Sequence, residues 1–512
     1  MRLPELPYAL RPNKIETVQM RGINWSDKLA DGDLRDSLNL SARRWPYITT
    51  RKGRVKQTAY QNATALTSWD KLVAVQGTSL LYDGQVVGTV TAGKKQFAVV
   101  NTKMVIWPDK VYLDIKDQQV KPLAAELAGS KATFATNKIT VNGWADLTTK
   151  FKAGDGVTLS GCTSKTENNK DFVIKAVTSN TITVADNTFV AVNEASTAIK
   201  LERKIPDLDF ICESENRLWG CDSDTQTIYA SALGDPTNFY VYEGLSTDAY
   251  TLAVGTEGKF TGCCKLSSSV LFWKETKLHK MLGSYPAEYA MYTYEMEGLQ
   301  DGCQKSQQVI NDTLFYKGHH GVYAYSGGTP TLISDNFGEK EFTNAIAGND
   351  GDSYYLSVKD GAAHKLMVYE TKTGIWVLED GTEAVDFARI GKDLYMLDGS
   401  GDVYLLDGAP TPKDQRWVAQ FTPMYETIDG KKTYSKLLVR LELPAGSHVI
   451  AKARFDGKSW QECGRVAGRD YNVTAMRIAT NRCDKFELRL EGEGECTILG
   501  ISREFIIGSD VK

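Results

Sequence analysis

Short apolar runs, each closed by an Asp, Asn or Gly turn and answered by a second run, recur along most of the chain. The plainest is Leu394-Tyr395-Met396-Leu397-Asp398-Gly399-Ser400-Gly401-Asp402-Val403-Tyr404-Leu405-Leu406. Others are Leu314-Phe315-Tyr316-Lys317 answered by Val322-Tyr323-Ala324-Tyr325, and Val270-Leu271-Phe272-Trp273-Lys274 answered by Lys277-Leu278-His279-Lys280-Met281. Earlier copies centre on Arg217-Leu218-Trp219-Gly220 and on Leu80-Leu81-Tyr82. A strand-only unit repeating about every 40–45 residues predicts the blades of a β-propeller, which bury their faces only by stacking on one another. Unit starts near 210, 266, 309, 352 and 386, with strands between 65 and 115 ahead of them, predict six or seven blades. Propellers hide their last edge by pairing N- and C-terminal strands, and the strands in the 50s and 60s are candidates for that closure.

The repeat breaks twice. Residues 128–204 shift to Thr, Ala, Asn and Lys, with runs such as Gly156-Val157-Thr158-Leu159-Ser160 and Thr181-Ile182-Thr183-Val184. They read as a small inserted β-barrel or sandwich between propeller parts 65–127 and 205–412. Beyond Pro410-Thr411-Pro412 the strands lengthen and alternate apolar with charged, as in Ser435 to Leu443 and Val449 to Phe455. Such alternation is a half-buried antiparallel sheet, and residues 413–512 read as a C-terminal β-sandwich of jelly-roll type. Lys485 to Gly492 and Thr497 to Phe505 read as partners across Glu493-Gly494-Glu495. Residues 1–64 read as an ordered arm with propeller closure, anchored by Trp25, Trp45 and Tyr47. Within it Asp31 to Leu38 is expected to be a turn or short helix, and a turn is expected at Pro122 to Leu127. The fold class is therefore all-β.

Charge and cysteines narrow the function. Lys and Arg number 60 against 64 Asp and Glu, for a net charge of −4 and no global footprint of a nucleic-acid binder. Nine scattered cysteines without a framework argue for reduced thiols and assembly in a cytoplasm. Met1 to Pro7 has no apolar core, so no signal peptide is expected, and no run has the length of a membrane span.

Chemistry is sparse. Asp222-Ser223-Asp224 and Asp398 to Asp402 are fragments of a calcium loop without its distal Glu, and read as turns. His319-His320 sits at an expected hairpin tip after Gly318, and adjacent residues of an extended chain point to opposite faces, so the pair reads as solvated turn residues and not as a chelate. A Walker loop, a nucleophile elbow and a dinucleotide fingerprint are absent. The Ser-x-Asp-x-Gly-x-Thr-Trp turn of sialidase propellers is absent too, so a glycosidase is the weakest of the readings kept. No catalytic, metal or cofactor residue is assigned. The one basic run is Arg43, Arg44, Arg51, Lys52, Arg54 and Lys56, interleaved with Trp45 and Tyr47. It is the candidate for DNA or intersubunit contact.

Ile228-Tyr229-Ala230-Ser231-Ala232-Leu233-Gly234-Asp235-Pro236-Thr237-Asn238-Phe239 resembles a blade-closing stretch of tailed-phage virion proteins. The inserted segment around Phe151 to Val157 and Asn168 to Phe172, and the opening from Asp31 to Arg51, are similar to the same family: the tail-hub (nozzle) or packaged-DNA stabilisation proteins. The resemblance implies a non-enzymatic structural subunit without cofactors. It implies a ring, commonly a hexamer, below portal and adaptor proteins that extends or plugs the channel for packaged DNA. It implies a virion location after assembly in the host cytoplasm. A receptor- or carbohydrate-binding virion protein is the alternative.

Overall fold

The computed structural model describes residues 12–241, 244–425, 430–469 and 473–507, so the Met1 to Pro7 stretch lies outside the described residues. The protein is all-β, with helix confined to short 3-10 turns. Outside residues 125–203, seven antiparallel sheets of four strands recur among the described residues. Six are continuous in sequence, spanning 63–89, 96–122, 210–253, 262–295, 308–332 and 343–380. The seventh joins three strands between 384 and 409 to Gly53–Lys56, which pairs with Val403–Ala409 through Leu405↔Val55 and Tyr404↔Lys56. Of the strands in the 50s and 60s, Gly53–Lys56 is the fourth strand of that sheet, while Ala63–Ser68 belongs to the first. Local chemistry explains the hairpins. Glu215-Asn216 and Asn311-Asp312 hold both central residues at positive φ, the twist that two-residue hairpin turns need.

The chain forms two compact units. In the unit Ala63–Gln304, alternation decides the packing. On the strand Lys103–Trp107, Met104 and Ile106 face a core shared with the first sheet, through Val73, Val75 and Leu80. Val105 and Trp107 face the opposite way, into a core shared with the third sheet through Ile211 and Leu218. Trp219 and Cys221 then join Phe272 and Met281 of the fourth sheet. The second and third sheets are thus buried on both faces, which is why their middle strands read as unbroken apolar runs.

The second and third sheets pack directly, although the inserted segment separates them in sequence. The chain leaves along Ala125–Gly129 and returns along Ile199–Arg203, and these two strands pair as a stalk. The insert thus begins at 125, and the expected turn at Pro122 to Leu127 is instead the end of one strand and the start of the stalk. Its strands form sheets of four and five around one core. Phe189 meets Phe134 and Phe172 edge-on at 5.3 and 5.1 Å.

In the unit Met1–Asn62 with Lys305–Lys512, two larger sheets accompany the fifth to seventh small ones. The arm does not stand alone. Asn13–Thr17 and Ile48–Thr50 pair with the last strand, Thr497–Ile507. Asp33–Leu38, a strand rather than a turn or helix, pairs with Arg416–Phe421. Lys485–Glu493 and Thr497–Ile507 are not partners either. They belong to different sheets, with Gly494 at φ +83° turning the chain between them. Two alternating strands, each with its own buried face, find better cover in facing sheets than side by side. Tyr434 and Phe486 bridge those sheets at 5.1 Å. Of the arm's aromatics, Trp25 packs on Phe337 at 5.3 Å, while Trp45 remains 43% exposed. Gly22, at φ +78°, lies where a Cβ would stand 2.2 Å from the Trp376 carbonyl oxygen.

Candidate functional site

The basic run of the N-terminal segment is spent within its own unit. Arg43 bonds Asp350, pairs with Asp407 at 2.9 Å and donates to the Tyr355 hydroxyl at 2.6 Å. Arg44 grips Glu442 with both terminal nitrogens. Arg54 lies 2.7 Å from Glu379 and 2.8 Å from Asp380, and Arg51 stands 3.8 and 3.7 Å from the same two carboxylates. Lys56 pairs with Asp402 at 2.5 Å. Lys52 is exposed and has no ion pair among the described residues. Five of the six cations are therefore paired with carboxylates of their own unit, with Arg43, Arg44 and Lys56 still about half exposed.

The stretch 228–239 does structural work of another kind. Asp235 accepts from the Thr237 amide and hydroxyl, fixing the turn, and reaches Lys152 of the insert at 2.6 Å. Asn238 donates to the Gly154 carbonyl at 2.9 Å. Behind them Arg217, fully buried, donates to the carbonyls of Ser231, Ser246 and Asp248. This loop is the seat of the inserted domain. Gly156 presses on it so closely that a Cβ would stand 2.0 Å from the Tyr240 Cβ. Gly156→Ala is expected to weaken the seat by about 1–3 kcal/mol, the cost of overpacking. The readout is faster protease cleavage within 125–203 with the rest of the chain intact; an unchanged cleavage rate would show that the seat has slack.

Beside this seat lies a cleft of about 280 Å³ between the second sheet and the insert. Lys103, Lys121, Lys150, Lys152 and Arg203 line it together with Tyr112, and no carboxylate does. Arg203 is held rigidly, with Nη1 2.7 Å from Asp155 and two other nitrogens on the Leu123 carbonyl. Sequence reading missed this cleft. Its only local trace is Thr148-Thr149-Lys150-Phe151-Lys152, whose neighbours come from strands tens of residues away.

The remaining candidates resolve into structure. Asp222 accepts from the Asp224 amide and the Thr225 hydroxyl, and Asp398 from the amides of Ser400 and Asp402, as turn-forming aspartates do. His319 and His320 are exposed at a hairpin tip with rings edge-to-face at 5.0 Å. Among the described residues no group of three His, Cys, Asp or Glu is placed to hold a metal ion. In the insert, burial alone would raise the Glu194 carboxyl, yet donors from Ser164, Ser196 and Thr163 outweigh it and hold its pKa at about 2. That carboxylate ties the loops around Thr163 and Ser196 together.

No protein-family model and no curated protein matches the chain. Solved structures with a partial likeness include the exo-β-1,3-galactanase of Phanerochaete chrysosporium, 8% identical over 56% of this chain and 92% of that one, with a TM-score of 0.21. Hsv2 of Kluyveromyces lactis is 10% identical over 52% of this chain and 88% of its own, with a TM-score of 0.28. PorZ of Porphyromonas gingivalis, a surface component of the type-IX secretion system, is 9% identical over 90% and 80%, with a TM-score of 0.28. Likeness at this level carries no argument about activity.

Proposed function

We propose that this chain is a structural virion protein of a tailed phage, a tail-hub or nozzle subunit rather than an enzyme. In this reading the seven four-stranded sheets are the blades of one β-propeller. The insert is a small two-sheet β domain, and the C-terminal β-sandwich is completed by N-terminal strands. Subunits close head-to-tail into a ring, of six in the resembled family, below the adaptor and portal, and the ring extends or closes the channel for packaged DNA.

The observation that carries this reading is the use made of residues 228–239. The stretch on which the family resemblance rests is a rigid seat for an appended domain, held by Asp235–Lys152 and Asn238–Gly154. A second support is the internal neutralisation of the N-terminal arginines. With those charges spent, a weakly acidic body would not trap a polyanion moving past it.

The test is the mass of the protein in solution, alone and mixed with the adaptor-ring protein of the same particle. A ring of several subunits, alone or on the adaptor, is expected. A monomer or trimer that ignores the adaptor and binds cells would overturn the proposal in favour of receptor binding.

A further inference from the structure

We propose that the cleft between the second sheet and the inserted domain binds an anionic sugar residue, one carrying a phosphate or a carboxylate. The inference does not depend on ring formation.

Charge makes the first part of the argument. Five cations and no carboxylate line a space of about 280 Å³ in a chain whose net charge is −4. Three of the five have carboxylates at their backs: Lys121 bonds Asp117, Lys152 pairs with Asp235, and Arg203 pairs with Asp155. Lys103 and Lys150 have no ion pair among the described residues. The Lys103 ammonium lies 5.7 Å from the centre of the Tyr112 ring. Two ammonium groups without an ion pair and a nine-tenths buried guanidinium, held by Asp155 and the Leu123 carbonyl, line one cavity and give it the charge of an anion receptor.

Hydroxyl orientation makes the second part. Thr148, Thr149 and Thr237 line the same cleft, and each already donates its proton inward: to the Asp146 carboxylate, the Asp146 carbonyl and Asp235. What they offer the cleft is lone pairs alone. A bare phosphate has little to donate to them, whereas sugar hydroxyls do. Tyr112 lines the same cleft and holds the Lys103 ammonium over its ring. The volume lies at the small end for ligand pockets and suits one sugar unit. A nucleic-acid strand fits less well, because a run of phosphates would continue past the cations onto Asp117 and Asp235, which stand beside Lys121 and Lys152.

The test is calorimetric titration of the full chain with glucuronate, glucose 6-phosphate, glucose, inorganic phosphate and a short single-stranded oligodeoxynucleotide. At least one anionic sugar is expected to bind saturably, at least about tenfold tighter than glucose or inorganic phosphate, since a charge-assisted hydrogen bond is worth roughly a factor of ten or more. The ratio of glucuronate to glucose 6-phosphate identifies the acid group. Lys103→Glu with Lys150→Glu is expected to weaken that binding at least about tenfold at an unchanged melting temperature. If the reversed charges impair folding, Lys103→Ala with Lys150→Ala serves the same comparison. Equal binding of glucose or phosphate, tighter binding of the oligonucleotide, wild-type affinity in the folded variants, or no binding by either anionic sugar would each overturn the proposal.

Discussion

Glu379→Ala is expected to loosen the closure of the seventh sheet by about 3 kcal/mol, near the lower end for breaking a buried ion pair. Glu379 is 5% exposed and takes the Arg54 guanidinium at 2.7 Å. Arg54 sits on Gly53–Lys56, the strand that completes the seventh sheet from the far end of the chain. Removing the carboxylate strands one guanidinium in a dry site and leaves a second, on Arg51, with less to offset it. Asp380, 2.8 Å from Arg54, retains part of the interaction, which is why the larger losses of the range are not expected. Amides of 53–56 and 403–409 should then exchange with solvent about a hundredfold faster, while those of the inserted domain keep their rates. Glu379→Met with Arg54→Met, which removes both charges and keeps the volume, should restore most of the protection. Arg44→Ala is the contrast: its side chain is 52% exposed beside Glu442, and less than about 1 kcal/mol is expected. A Glu379→Ala protein with wild-type exchange at 53–56 would show that backbone pairing alone holds the closure.

That prediction was out of reach of the sequence, and the reason is physical. A repeat announces itself locally: Asp393 to Leu405 carries its strands, turn and register within thirteen residues, as does Thr313 to Tyr325. The break at the insert was legible because composition changes there, and its start was missed by only three residues because the stalk strands look like any other pair. Long-range pairing left no such mark. Asp33–Leu38 finds its partner in Arg416–Phe421, and nothing near Asp33 encodes the distance. Lys485–Glu493 and Thr497–Ile507 gave the opposite error, since a short Gly-containing link between alternating strands signals a hairpin and here turns the chain between two sheets. The partners of the basic run were hidden in the same way. Arg43 to Lys56 reads as a basic surface run until Asp350, Glu379, Asp380, Asp402 and Asp407 arrive from more than 300 residues away.

A second large effect is expected on acidification, from His279. It is fully buried in the fourth sheet, with Nε2 3.0 Å from the Thr256 hydroxyl and Nδ1 2.9 Å from the Thr293 hydroxyl. Hydroxyls that donate or accept satisfy a neutral imidazole on both sides, and nothing here compensates a cation. Burial first, then the nearby ammonium groups of Lys274 and Lys277, pushes its pKa down to about 4. Lys274 is itself buried, its charge held by the Gln226 amide oxygen and the carbonyls of Thr256 and Glu257. The unfolded chain binds this proton near pH 6.5 and the folded chain only near 4. The neutral ring's contribution is therefore complete above pH 6.5 and is lost as pH falls towards 4. A gap of that size corresponds to about 3 kcal/mol. In urea titrations the stability advantage of wild type over His279→Gln should shrink by about that amount between pH 7.5 and pH 4, with most of the change below 6.5. The comparison with the variant removes the carboxylates' share, which both proteins carry. A constant gap would mean that the ring takes up its proton in the folded state at the same pH as in the unfolded chain, so that the Thr256–His279–Thr293 bridge, which ties the link after the third sheet to the fourth, carries a cation below pH 6.5. Because that bridge and the Phe260 ring, 6.2 Å from the imidazole, lie on the same shared core as Trp219 and Phe272, its loss would open the packing of one sheet on the next. Acid should therefore expose the third and fourth sheets before the inserted domain, whose Glu194 carboxylate, held at about 2, stays ionised through the same range.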